Sequence, residues 1–114
     1  MARVVAFVPD LLFGSGVLGA LQAAGHDAVL VNDLSGPAAA GADVLVVDLT
    51  ADAAQRIAQV RESEAASVPK LAFYSHVEAD VRELAEQAGF DQVVPRSRMA
   101  REGGALVSRL AADE

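Results

Sequence analysis

The chain contains no cysteine, no tryptophan, a single tyrosine and a single lysine. Without cysteine there can be no disulfide and no thiolate metal site, and nothing in the composition asks for an oxidising compartment. Four Phe and one Tyr leave few rings on which a base or a flavin could stack. No apolar stretch approaches the roughly 18 residues of a spanning helix, and no basic segment runs into an apolar one near the start, so the chain reads as cytoplasmic, with no membrane role. Positive charge is scarce too: Lys and Arg total 9 against 16 for Asp and Glu, a net charge of −7. That balance argues against nucleic acid as a partner and suits small molecules, cations or other proteins. Ala is abundant and Arg outnumbers Lys eight to one, which reads as coding bias.

What the chain does have is a set of short apolar runs. Its 114 residues suit one domain, spanning 1–114, with a core of its own. The organising stretch is 43–50, where Val44, Leu45, Val46 and Val47 run unbroken and stop at Asp48. Such a run predicts a strand buried on both faces, the habit of parallel sheets with helices on each side. Similar runs at 3–8, 28–31 and 70–74 end at Pro9-Asp10, Asn32-Asp33 and Ser75-His76. A fifth, at 91–94, is less apolar and predicts an edge strand.

Helical patterns lie between them. The first, over 11–24, places Leu11, Val17, Leu18, Leu21 and Ala24 on one face, with Gly25 as C-cap. Only 34–41 separates the second and third strands, which predicts one or two turns with Pro37 near the first helical position and Gly41 past the end. Thr50 is expected to cap the next helix, with Asp52 in its first turn and Ala54, Ile57, Ala58 and Val60 facing inward. Ser75-x-x-Glu78 fits a capping box for the fourth helical segment, which carries Val81, Leu84, Ala85 and Ala88 and ends at Gly89. Leu106, Val107 and Leu110 mark the last. Strand–helix alternation with right-handed crossovers predicts a flavodoxin-like, doubly wound five-stranded parallel sheet of order 2-1-3-4-5, with a shortened second helix.

In that order the carboxyl ends of the strands form one rim: Asp33, Asp10, Asp48, Ser75-His76 and Pro95-Arg96. Asp10 and Asp48, with a loop carbonyl, would make a hard oxygen site suited to weakly held Mg²⁺; alternatively both cap the helices that follow. Ser75 could bond an anion held at Asp48 or serve the cap. His76 beside it is pH-sensitive if it functions, though a lone His at a strand end is more often an ordinary surface residue. Arg96, Arg98 and Arg101 fall where the last helix begins, and cations are disfavoured there. A local rule broken in this way can mark a functional site. Arg96 would then neutralise Asp48 or bind an anion, the plain alternative being a solvated face on an acidic protein. Gly14, Gly16 and Gly19 match G-x-G-x-x-G, with Asp33 as a mimic of the ribose-binding acid, but Pro9 to Phe13 intervene after the strand and the helix beyond Gly19 would be barely a turn. The dinucleotide fingerprint is therefore rejected. The glycines either shorten the helix or admit a close neighbour.

Val-Pro-Asp at 8–10, Val-Val-Asp-Leu-Thr at 46–50, Phe-Tyr-Ser-His at 73–76 and the short strand before Pro95 together resemble a response-regulator receiver domain of the chemotaxis-protein type, over nearly the whole chain. The resemblance implies Asp48 as phosphoacceptor and Mg²⁺ held by Asp10, Asp48 and the Thr50 carbonyl. It implies Ser75 as the hydroxyl that follows the phosphoryl group and repositions the helix after the fourth strand. Two departures stand out. One residue of the family's acidic pair is Pro9, and the family's lysine falls on Pro95, with Arg96 one residue late as a substitute. Phosphoryl transfer depends on positioning and charge neutralisation, so both losses should weaken it. The chain thus resembles a pseudo-receiver acting through protein contacts, as a homodimer or with another protein, over the helix after strand four, strand five and the last helix. The alternatives are a phosphorylatable regulator using Asp48, and a small nucleotide- or flavin-binding domain.

Overall fold

The computed structural model describes residues 2–112. Five strands, β1 (Arg3–Phe7), β2 (Asp27–Val31), β3 (Val44–Asp48), β4 (Lys70–Tyr74) and β5 (Gln92–Pro95), form one parallel sheet in the order β2-β1-β3-β4-β5. The predicted order is the observed one. Every residue of β3 and β4 is buried, as expected of central strands covered on both faces.

The helices are α1 (Leu11–Ala23), α2 (Ala53–Glu62), α3 (Ala79–Gln87) and α4 (Arg96–Ala112). The expected short second helix is a 3₁₀ turn, Gly36–Ala39, with Pro37 at its start. Neighbouring strand residues point to opposite faces, which splits the core in two. Val4, Ala6, Val46, Leu71 and Phe73 meet Val17, Leu21, Met99, Leu106 and Val107 of α1 and α4. Val5, Phe7, Leu45, Val47, Ala72 and Tyr74 meet Ile57, Val60, Val81, Ala85 and Phe90 on the α2 and α3 side.

Helix α1 departs from the expected face at its start. Leu11 and Leu12 are 79% and 89% exposed, because Asp10 caps the helix and turns its first residues outward over the rim. The three glycines do not shorten α1; they lie inside it. A Cβ on Gly14 would stand 3.0 Å from a Leu30 methyl and 3.2 Å from the Val8 carbonyl, so that glycine lets α1 settle on the sheet. Gly16 has no atom within 4 Å of the same point. Gly104 of α4 lies against the end of α1, where an added Cβ would stand 3.1 Å from both the Ala20 carbonyl oxygen and the Ala24 Cβ.

These differences have opposite consequences for stability. Gly16→Ala should raise stability by about 1 kcal/mol through helix propensity alone. Gly104→Ala should lower it, since overpacking typically costs about 1–3 kcal/mol and outweighs the same gain. Urea midpoints of the two variants check the signs.

Candidate functional site at the strand ends

The carboxyl ends of the strands meet at one rim, and Asp48 is its innermost polar residue, 3% exposed. A carboxylate this deep must be hydrogen-bonded or paired. Its Oδ1 accepts the Thr50 N–H at 2.8 Å and the Thr50 hydroxyl as well. This turn within two residues is the Asx geometry that Asp favours at strand exits. The Thr50 hydroxyl is therefore committed to Asp48 and does not cap α2, as the sequence had suggested. The cap position is Asp52, with left-handed backbone at φ 50° and no side-chain cap bond.

Side chains of a helix tilt toward its N-terminus, so Arg56, one turn into α2, reaches back to the end of β3. Its Nη1 donates to the Asp48 carbonyl at 2.9 Å and lies 3.6 Å from Asp48 Oδ2. Its Nη2 lies 4.0 Å from the Asp52 carboxylate, and the guanidinium sits 5.9 Å from the Phe7 ring centre. The cation beside Asp48 is thus Arg56, not Arg96. The sequence carried a signal for this: a cation in the first turns of a helix runs against the macrodipole, the same irregularity noted at Arg96, and Arg56 shares it.

Asp10 is exposed at the mouth of the rim, and its Oδ1 accepts the N–H groups of Leu12 at 3.0 Å and Phe13 at 3.1 Å. Its helix-capping role is realised. Asp33 makes the same kind of turn with Ser35, whose hydroxyl and then whose N–H hold the Asp33 carboxyl below its ordinary value. The expected capping box at Ser75 does not form. Helix α3 starts after Glu78, and Ser75 contributes its carbonyl to a turn, accepting the Glu78 N–H at 2.8 Å. Its hydroxyl makes no hydrogen bond among the described residues.

Ser75, His76 and Arg96 do come together. With Phe13, Ser97 and Ala100 they line a cavity of about 290 Å³ beside the rim, and Asp48 is not among its walls. Helix α4 starts at Arg96, whose guanidinium lies 5.5 Å from the Phe13 ring centre. Arg98 pairs with Glu102 at 3.4 Å. Arg101 is exposed.

The donor set bears on a divalent ion. Mg²⁺ takes near-octahedral oxygen ligands, usually one or two carboxylates and several waters. Here Asp10 is tied to α1, Pro9 has no side-chain donor, and both oxygens of Asp48 face Thr50 or Arg56. No three His, Asp or Glu side chains are placed to share a metal among the described residues. These residues, as arranged, do not fit the ion. Among the described residues no helix is long and apolar enough to cross a membrane.

The sequence matches no family model and no curated protein. The fold does have close counterparts. A response-regulator receiver domain from Clostridium thermocellum superposes with a TM-score of 0.80 at 12% identity, over 99% of this chain and 96% of the other. The receiver domain of a sensor histidine kinase from Pseudomonas aeruginosa, with magnesium coordinated in its active-site cleft, gives 0.75 at 15% identity, over 97% and 98%. An atypical orphan response regulator, described as having a phosphorylation-independent regulatory mechanism, gives 0.74 at 16% identity, over 96% and 95%. The chain has the receiver fold.

Thr50→Val keeps the shape of the side chain and removes a donor from a buried carboxylate. It should cost about 1–3 kcal/mol, whereas Thr50→Ser should stay near wild type. Denaturant midpoints distinguish the two.

Proposed function

We propose that the protein is a degenerate receiver: a cytoplasmic signalling module that works through protein–protein contact without phosphorylation. The observation that carries this reading is the state of the acidic rim. Asp48, at the position of a receiver's phosphoacceptor, is buried against Thr50 and Arg56, while Asp10 is spent on the cap of α1. Pro95 stands where the family's lysine would be, and Arg96 lies over Phe13. An attacking carboxylate needs a positioned, charge-neutralised phosphoryl donor, and this rim supplies neither the second carboxylate nor the lysine. The phosphorylation-independent mechanism described for the atypical orphan regulator is a precedent on the same fold.

One observation favours the second reading, a working phosphoacceptor at Asp48: the Ser75 hydroxyl, at the position of a receiver's switch residue, is not used as a helix cap. Mg²⁺, expected as a weak ligand of Asp10, Asp48 and Thr50, has its counterpart in the Pseudomonas domain and would here have to displace Arg56. The third reading, a nucleotide or flavin binder, loses its phosphate loop, because the glycines lie in the body of α1.

The contact surface assigned to this reading is α3, β5 and the start of α4. Val81, Ala85 and Phe90 are taken into the core, which leaves Leu84, 39% exposed, as the large apolar side chain that α3 presents to solvent.

Intact mass after incubation with acetyl phosphate and Mg²⁺ should be unchanged. A phosphoryl adduct that Asp48→Asn abolishes would establish the second reading instead. Light scattering should show a dimer at high concentration that Leu84→Glu weakens; a monomer throughout would discard the homodimer.

A further inference from the structure

The Arg56 guanidinium occupies a position built from oxygens. The Asp48 carbonyl lies 2.9 Å from Nη1, Asp48 Oδ2 lies 3.6 Å from the same atom, and the Asp52 carboxylate lies 4.0 Å from Nη2. These are hard donors of the kind that a divalent ion takes. The cation is drawn out of water with its partner: the side chains of Arg56 and Asp48 are 13% and 4% exposed. One side of the guanidinium is closed by the Phe7 ring. Asp52 reaches it from a left-handed backbone, φ 50°, a conformation that residues with a Cβ seldom adopt.

We propose that Arg56 is a tethered counter-cation, a positioning residue that fills an oxygen-lined cation position formed by Asp48 and Asp52 and makes it independent of divalent ions. The β3–α2 corner is thereby held in one state whatever the Mg²⁺ concentration. The functional weight of that state rests on the degenerate-receiver reading; the geometry does not. Without the guanidinium, a buried carboxylate is left uncompensated and must take up a proton or recruit another cation. The vacated oxygens are placed to accept one.

The test is a titration with Mg²⁺ alone, in the absence of any phosphoryl donor, followed by amide NMR and by the unfolding midpoint. It compares wild type, Arg56→Met, which keeps the apolar stem, Arg56→Gln, and Arg56→Met combined with Asp48→Asn. Both single variants should show saturable shifts over residues 48–52, with Mg²⁺ bound at least about tenfold more tightly than by wild type, because a unit positive charge has been removed within about 4 Å. Mg²⁺ should raise their midpoints and leave those of wild type and the double variant unchanged. If a variant is unfolded without the ion, Mg²⁺-dependent recovery of helical circular dichroism reads the same point. The proposal is overturned if wild type binds Mg²⁺ at 48–52 as tightly as the variants, or if neither variant gains affinity. Failure here leaves the phosphorylation-independent reading to be judged by the mass measurement. A phosphoryl adduct on wild type would end that reading without deciding this one.

Discussion

A carboxylate at the end of a doubly covered strand has no water to neutralise it, and the rest of the rim is arranged around that constraint at Asp48. Its two oxygens are satisfied by different elements. Thr50 supplies the donors that turn the chain out of β3, and Arg56 supplies the charge from α2. The start of α2 follows from both. Asp52 adopts a left-handed backbone at the cap, and its carbonyl accepts the Arg56 N–H at 2.9 Å, the first bond of the helix. Removing one partner of a buried ion pair generally costs about 3–5 kcal/mol, a large fraction of a small domain's stability. Arg56 and Asp48 are therefore structural and electrostatic at once.

The same constraint divides the rim into a closed half and an open half. On the closed side, Asp48, Thr50, Arg56 and Asp52 satisfy one another around the edge of Phe7. On the open side, Ser75, His76, Arg96 and Ser97 face a shared cavity with Phe13 as its floor. Helix α1 borders the open half. It has no charged residue, its capping Asp10 lies at the mouth, and its Phe13 packs against Phe73 with ring centres 5.0 Å apart. A receiver of the ordinary kind would bring strand-four hydroxyl and strand-three carboxylate to a single phosphoryl group. In this molecule the carboxylate is occupied from the α2 side, and the hydroxyl remains open on the other.

Burial on both faces of a strand is a property of composition. Val44 to Val47, Arg3 to Val8 and Lys70 to Tyr74 therefore announced the sheet, and strand–helix alternation with right-handed crossovers made the flavodoxin-like order 2-1-3-4-5 the expected one. The glycines at 25 and 89 were legible for a local reason as well: each takes a left-handed φ of 91° at a helix end. The shortness of 34–41 needed only counting.

The site was legible in its location and only partly in its chemistry. That Asp10, Asp48, Ser75 and Arg96 would gather at the strand ends followed from topology. Which cation would meet Asp48 did not follow, because a guanidinium reaches its partner across a distance set by the angle at which α2 leaves β3, and no spacing rule contains that angle. Thr50 and Ser75 were both read as caps because hydroxyls at strand exits are local competitors for backbone N–H groups. A two-residue turn at the strand exit gives the first to the Asp48 carboxylate, and the second is left without a hydrogen-bond partner among the described residues. Periodicity and strand-end chemistry, being local, were determined by the sequence itself. The pairing of Asp48 with Arg56, the stacking of Arg96 on Phe13 and the outward turn of Leu11 and Leu12 were decided only when the elements packed and desolvation chose among charges that the chain had made available.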